Sequence, residues 1–164
     1  MSGNFSIGKS KDRAHEKDIE DILKVSEYLK SRFEELIDKD VDAFLKLKSA
    51  LKNKSGNDIL QMCYKESASV PLEICKLSYG GLKSCPILAD WGNPALISDV
   101  GIAEEFFETA FNAGKLNVDI NLNFIQDEKF IKDLKKDLTD IEKHIKALKK
   151  AVTIKVKDVL YEKY

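Results

Sequence analysis

The chain has 164 residues, 43% of them apolar and 34% charged, with a formal net charge of −1. That length fits one domain of ordinary size, and interleaved charges without a basic patch argue against nucleic acid as a partner. No run of about 18 apolar residues is available for a membrane span, no apolar stretch near Met1 resembles a secretion signal, and the three cysteines, Cys63, Cys75 and Cys85, lack C-x-x-C spacing. A disulfide framework and a zinc site are therefore not expected, and a reducing cytoplasm is. With only 8 glycines and 3 prolines, turns are few and elements long, which predicts an all-α protein.

Residues 1–14, "MSGNFSIGKSKDRA", are polar and read as an arm or loop. From about His15 to Asn53, Ile19, Ile22, Leu29, Phe33, Leu36, Phe44, Leu47 and Leu51 recur mostly at multiples of three or four, predicting one long amphipathic helix. "NKSGND" is a turn, with Asn57 or Asp58 expected to cap a second helix over about 58–85. Pro71 lies inside it and predicts a kink or restart near Val70. Gly80-Gly81 reads first as close packing or termination, and second as backbone approach to a ligand. A third helix is expected to begin within "GNPALISDVG" (92–101), where Asn93-Pro94 makes the turn or a short first turn and Ser98 caps the long helix, and to end near Asn123 on a stripe through Ala103, Phe106 or Phe107, Ala110, Ala113 or Gly114, Asn117, Ile120 or Asn121, and Phe124. Asp127 is expected to cap a fourth helix. There Ile131, Leu134, Leu138, Ile141, Ile145, Leu148 and Val152 form the heptad seam of a bundle, continuing through "AVTIKV" to Val159.

Polar residues interrupt these apolar stripes. Asp40 falls four residues after Leu36 and four before Phe44, and Asn117 and Asn121 share one face of the third helix. Asp99 lies 18 residues before Asn117, five helical turns, so it points the same way but sits roughly 27 Å along the axis. Within one chain the two are not expected to touch the same small reacting centre; they fit different ends of a long ligand, or sites shared between subunits. Each residue alone fits a structural role: a cap, an ion pair or a hydrogen bond that fixes register. Together they favour a binding site, because cores seldom hold several uncompensated polar groups. His15 and His144 sit in charged surroundings and read as surface residues. Without a convincing histidine base or a partnered serine or cysteine a triad hydrolase is not expected, and neither a phosphate loop nor H-E-x-x-H occurs.

"LIDKDVDAF" (36–44), "SVPLEI" (69–74), "GNPALISDVGIA" (92–103) and "NVDINLNFIQDEKF" (117–130), in that order, resemble the cyclodeaminase/cyclohydrolase family of folate enzymes over about residues 1–135. The resemblance implies a multihelical bundle of long antiparallel helices, dimeric, with the whole chain as one domain. It implies a reduced folate carrying a one-carbon unit as substrate, without a further cofactor or metal. Asp40, Asn93, Ser98, Asp99, Asn117 and Asn121 fall on motif positions of that family and are expected to line or support the folate pocket. The expectation is that Asp99 or Asp40 is the proton acceptor and that the asparagines orient pterin or amide groups. Lys9 and Lys11 are placed against the folate's glutamate tail. Members of the family commonly begin with a further helix carrying P-G-G-G-S, a motif this sequence does not contain; "MSGNFSIGK" resembles the segment that follows it. The activity so implied is hydrolysis of 5,10-methenyltetrahydrofolate to 10-formyltetrahydrofolate, with formiminotetrahydrofolate cyclodeaminase as the alternative. A non-catalytic helical dimer or folate binder is the third reading.

Overall fold

The computed structural model describes residues 15–161, and every regular element among them is helical. The elements are α1 (Glu16–Lys52), α2 (Asn57–Leu82), the short α3 (Cys85–Trp91), a 3-10 turn (Pro94–Leu96), α4 (Ile97–Leu122) and α5 (Glu128–Tyr161). The expected all-α bundle of long antiparallel helices is what forms. α3 is an addition: "CPILADW" follows Ser84 directly, with Pro86 in its first turn, where a missing N–H costs nothing.

α2 is the central helix. α1 runs antiparallel to it, tied by ion pairs from Arg32 to Glu73 and from Lys46 to Glu66. α4 also runs antiparallel to α2, and the approach is close because Gly114 carries no side chain. A Cβ there would stand 2.8 Å from Cys75 Sγ and 3.0 Å from the Pro71 carbonyl oxygen. α5 pairs antiparallel with α4 through Lys115–Glu142 and the Thr153–Glu104 hydrogen bond. The main core is shared by α2, α3, α4 and α5, with Phe111, Leu82, Val118 and Ile145 fully enclosed. α1 is attached through a second, smaller core, in which Leu36 and Ala43 meet Val70, Ile74 and Leu77.

Turn chemistry explains the joints. Lys54 adopts a left-handed backbone (φ 52°) after α1, its N–H bonded to the Leu51 carbonyl while that of Ser55 bonds to Ala50. This pair of bonds is a Schellman ending built without glycine. Asp127 Oδ1 accepts from the Phe130 N–H at 3.0 Å, the expected cap of α5. Two expected caps are not made. α2 begins after Gly56 with no side-chain cap bond, Asn57 donating instead to Gln126 Oε1 at 3.1 Å, and α4 begins at Ile97, so Ser98 stands inside its first turn rather than before it. The cap in that segment is Asn93, whose Oδ1 accepts from the Ala95 N–H at 3.1 Å and starts the 3-10 turn.

Pro71 does not end the helix: α2 is continuous across it. Proline leaves the Ser67 carbonyl without its helical donor. Asn121 Nδ2 supplies one from α4, at 3.2 Å. α5 likewise stays helical through "AVTIKV", with Val152 buried.

The phase of two helices differs from the expected stripes. The buried positions of α1 are Ile19 and then Ile22, Leu29, Leu36, Ala43 and Ala50, the last five seven residues apart, with Phe44 and Leu51 left largely exposed. Asp40 is exposed beside this narrow seam rather than buried on it. On α4 the buried positions are Ile97, Val100, Glu104, Phe111, Gly114, Val118 and Leu122. Gly114 draws that side of the helix against α2, so Asn117 is exposed and Asn121 only half-buried.

Candidate active site

A cavity of about 390 Å³ opens between the N-terminal half of α1, the α2–α3 joint and the first turns of α4. It falls within the size range of small-molecule sites. α1 contributes Ile22, Leu29 and Phe33 as apolar wall, with Ser26, Glu27 and Lys30 beside them. The joint contributes Gly81, Ser84, Cys85 and Leu88, and α4 contributes Asp99, Val100, Ala103 and Phe107. Phe107 can lie here because Gly81 has no side chain; a Cβ on Gly81 would stand 2.2 Å from the Phe107 ring. The packing reading of Gly80-Gly81 holds at Gly81, and the space it makes shapes the cavity that Gly81 also lines.

Asp99 is the half-buried carboxylate of this wall, and among the described residues it has no hydrogen bond or ion pair. It sits in the first turn of α4, where the unpaired N–H groups of the helix end favour a negative charge. Cys85 faces the same space, but burial, with the charge of Glu104 adding to it, pushes its thiol up to about 12. It stays protonated at neutral pH and supplies no nucleophile.

The other expected site residues lie elsewhere. Asp40 is on α1 outside the cavity wall, beside the exposed Ile37, Val41 and Phe44. Asn93 holds the 3-10 turn that leads into α4, which sets where Asp99 begins its helix. Ser98 is exposed at the second position of α4. Asn117 is exposed, and its carbonyl accepts from Asn121 Nδ2 at 2.8 Å. Both donor bonds of Asn121 are thus to backbone carbonyls, those of Asn117 and Ser67. Lys9 and Lys11 lie outside the described residues. Among the described residues no cluster of histidine, cysteine and carboxylate side chains could hold a metal ion, and no helix is long and apolar enough to cross a membrane.

Sequence reasoning missed Glu27, Lys30, Ser84 and the buried Glu104. Glu104 is only 2% exposed and packs behind the cavity wall, one residue after Ala103. Its two carboxylate oxygens share a single donor, Thr153 Oγ1, at 3.2 and 3.4 Å. Burial raises its pKa, and the Thr153 bond and the charge of Lys149 only partly offset this. Lys149 is itself held by Glu105 at 3.0 Å and by Glu108. Glu104 was legible in principle, four residues after Val100 and seven before Phe111. The open choices Phe106/Phe107 and Ala113/Gly114, and the placing of Ala110 rather than Phe111 on the stripe, hid the phase.

Three comparisons bear on this geometry. The family model described as Formiminotransferase-cyclodeaminase matches residues 1–140. A methenyltetrahydrofolate cyclohydrolase of Methylorubrum extorquens is 28% identical over 165 residues, covering 96% of this chain and 79% of the relative. The crystal structure of formiminotetrahydrofolate cyclodeaminase from Thermotoga maritima matches with a TM-score of 0.93 at 30% identity, covering 98% of this chain and 80% of that one.

Proposed function

This chain belongs to the formiminotransferase-cyclodeaminase family, and from that premise we propose that it hydrolyses 5,10-methenyltetrahydrofolate to 10-formyltetrahydrofolate in the cavity between α1 and α4. The observation that carries this reading is Asp99, a half-buried, unpartnered carboxylate on an otherwise largely apolar wall. The substrate is a cation, its charge delocalised over N5, the bridging carbon and N10. A fixed carboxylate in a water-poor cavity stabilises such a charge more strongly than bulk solvent does.

The same group serves the chemistry. Water adds to the bridging carbon, and Asp99 accepts the proton released from it. The tetrahedral carbon then carries a hydroxyl and both nitrogens. Loss of the hydroxyl proton and cleavage of the carbon–N5 bond leave the formyl group on N10, while N5 gains a proton and one proton is released to solvent. The apolar side chains of Ile22, Leu29, Phe33 and Phe107 limit access to the water that reacts. No cofactor or metal takes part in this scheme.

The second reading is the cyclodeaminase reaction, favoured by the close structural match to the Thermotoga maritima protein. There N10 attacks the formimino carbon, and the tetrahedral carbon expels ammonia. Asp99 would accept the N10 proton and return it to the departing nitrogen.

The proposal extends to a cytoplasmic homodimer. Large apolar side chains more than half exposed run along α1 (Ile37, Val41, Phe44) and along α4 (Ile102, Phe106, Leu116, Ile120). Stripes of this extent are unusual on a monomer, and a second copy would cover them. Asp40 lies in the α1 stripe, so a part for it in catalysis requires that second copy. Asn93, Asn117 and Asn121 then support the site by holding backbone rather than by meeting the pterin.

Purified protein is assayed for loss of methenyltetrahydrofolate and, separately, for ammonia release from formiminotetrahydrofolate. Asp99→Asn should lower the turnover of the active substrate by about 10²- to 10⁴-fold while leaving the circular dichroism spectrum unchanged. No turnover of either substrate by the wild type leaves the third reading, a non-catalytic folate binder. Unchanged turnover in Asp99→Asn removes Asp99 as the base.

A further inference from the structure

The cavity has charge of both signs, distributed by depth. Asp99 on α4 is half-buried, whereas Glu27 and Lys30 on α1 are exposed. Lys30 is the cation of the lining, and among the described residues it makes no ion pair, nor does Glu27. Lys46, Lys76, Lys115 and Lys149 are each held by a carboxylate on another helix, and Lys65 by the Asp127 cap, whereas the ammonium of Lys30 is not engaged in this way. A long side chain that stays unpaired at the mouth of an apolar cavity leaves its ammonium available to whatever enters.

The proposed substrate is itself bipolar. Its one-carbon bridge is cationic, and its far end is a glutamate bearing carboxylates. The order of charges from depth to mouth, carboxylate then ammonium, is the complement of that molecule laid bridge-first into the cavity. We infer that Lys30 is the specificity residue for the anionic tail of the substrate, pairing with the glutamate carboxylate at the cavity mouth while Asp99 faces the one-carbon bridge. The inference rests on the folate reading above.

Glu27, three residues earlier on the same helix, faces the same mouth with the opposite sign. It repels the tail that Lys30 attracts. The two residues therefore tune the number of tail charges the site accepts, and each added glutamate strengthens both terms. This gives the inference a signature that a packing effect does not share: neutralising the two side chains must move affinity in opposite directions.

The test measures KM and kcat for the active folate substrate in forms with one and with several linked glutamates, at low and at high salt. Lys30→Gln should raise KM about five- to tenfold, most for the longer tail, with a much smaller effect on kcat. Lys30→Arg should restore most of the loss. Glu27→Gln should lower KM for the longer tail by about two- to threefold, and raised salt should shrink both effects. A tail-free pterin–aminobenzoate analogue should bind wild type and Lys30→Gln equally. If the wild type turns over the folate but Lys30→Gln shows the same KM for every tail length, the inference fails alone. If both variants move KM in the same direction, it also fails, because charge is then not the cause. If the wild type neither binds nor turns over a reduced folate of any tail length, the folate reading fails and takes this inference with it.

Discussion

Glu104 is the place to test the energetics of the bundle. Its carboxylate is enclosed between α4 and α5 with one hydroxyl, that of Thr153, shared by two oxygens. The nearest cation, Lys149, is already held by Glu105 and Glu108. An ionised acceptor so short of donors costs about 1–3 kcal/mol. Glutamine keeps the shape and the oxygen that Thr153 reaches, removes the charge, and adds an amide N–H₂ that finds no ready acceptor. The net expectation for Glu104→Gln is a gain of about 1 kcal/mol at pH 8.

The pH dependence fixes the sign. Burial raises the folded-state pKa of Glu104 above its unfolded value. The folded protein therefore binds this proton more tightly than the unfolded chain does. The associated stability is fully present below the unfolded value of about 4.3 and is lost as pH rises through the folded one. Urea unfolding of both proteins at about pH 5 and about pH 8 should show the variant's advantage growing with pH. Glu142 works in the opposite direction, since hydrogen bonds from Lys115 and then Lys146 hold its pKa down to about 2. That stability is lost as pH falls toward 2, and it is common to both proteins, so the difference between them isolates Glu104. A difference that is independent of pH, or a variant less stable than wild type at pH 8, would refute the reasoning.

Three further substitutions probe the helix contacts. Gly114→Ala places a Cβ 2.8 Å from Cys75 Sγ and 3.0 Å from the Pro71 carbonyl. Overpacking of about 2–3 kcal/mol outweighs the gain of about 1 kcal/mol in helix propensity, so thermal unfolding should occur at a lower temperature. Asn121→Ala should cost about 1–2 kcal/mol by stripping the Ser67 carbonyl of its donor. In a Pro71→Ala background, where the helical N–H is restored, the same change should cost much less, as a double-mutant cycle in urea would reveal. Lys54→Gly should raise stability by about 0.5–1 kcal/mol, because the left-handed backbone at this position strains any residue with a Cβ; an unchanged urea midpoint would argue against it.

Much of the architecture was legible because long stretches with few turn residues carry apolar side chains at steps of three and four, the period of a helix and not of a strand. The heptads of α5 continued straight into the structure, as did the Asp127 cap. The errors share a physical origin. On α1 and α4, pairs of adjacent apolar residues left the stripe ambiguous by one position, and the decision came from tertiary contact. Ala43 and Ala50 are buried instead of Phe44 and Leu51, and Val118 instead of Asn117 on the face that Gly114 draws inward. Close approach selects small residues, and hydrophobicity alone does not reveal that choice. The restart expected at Pro71 does not occur, because a partner 50 residues away in sequence, and so out of view, repairs the gap: Asn121. The candidate site was legible in one residue, Asp99. Glu27 and Lys30 were hidden because each looks like any solvated charge until the cavity beside them is seen.

The seven-residue ladder of α1 runs from large to small: Ile22, Leu29 and Leu36, then Ala43 and Ala50. Side chains at a helix contact set the distance between the axes. At its far end α1 can lie close on α2, where Ala43 meets Val70; toward Ile22 bulkier residues stand between the two backbones. Side chains graded in this way splay the pair toward the end at which the cavity lies. The width of the site is therefore governed partly by alanines that do not line it. Enlarging Ala43 or Ala50 would tilt α1 about the middle of the ladder, moving Leu29 and Lys30 without altering a single residue in the cavity wall.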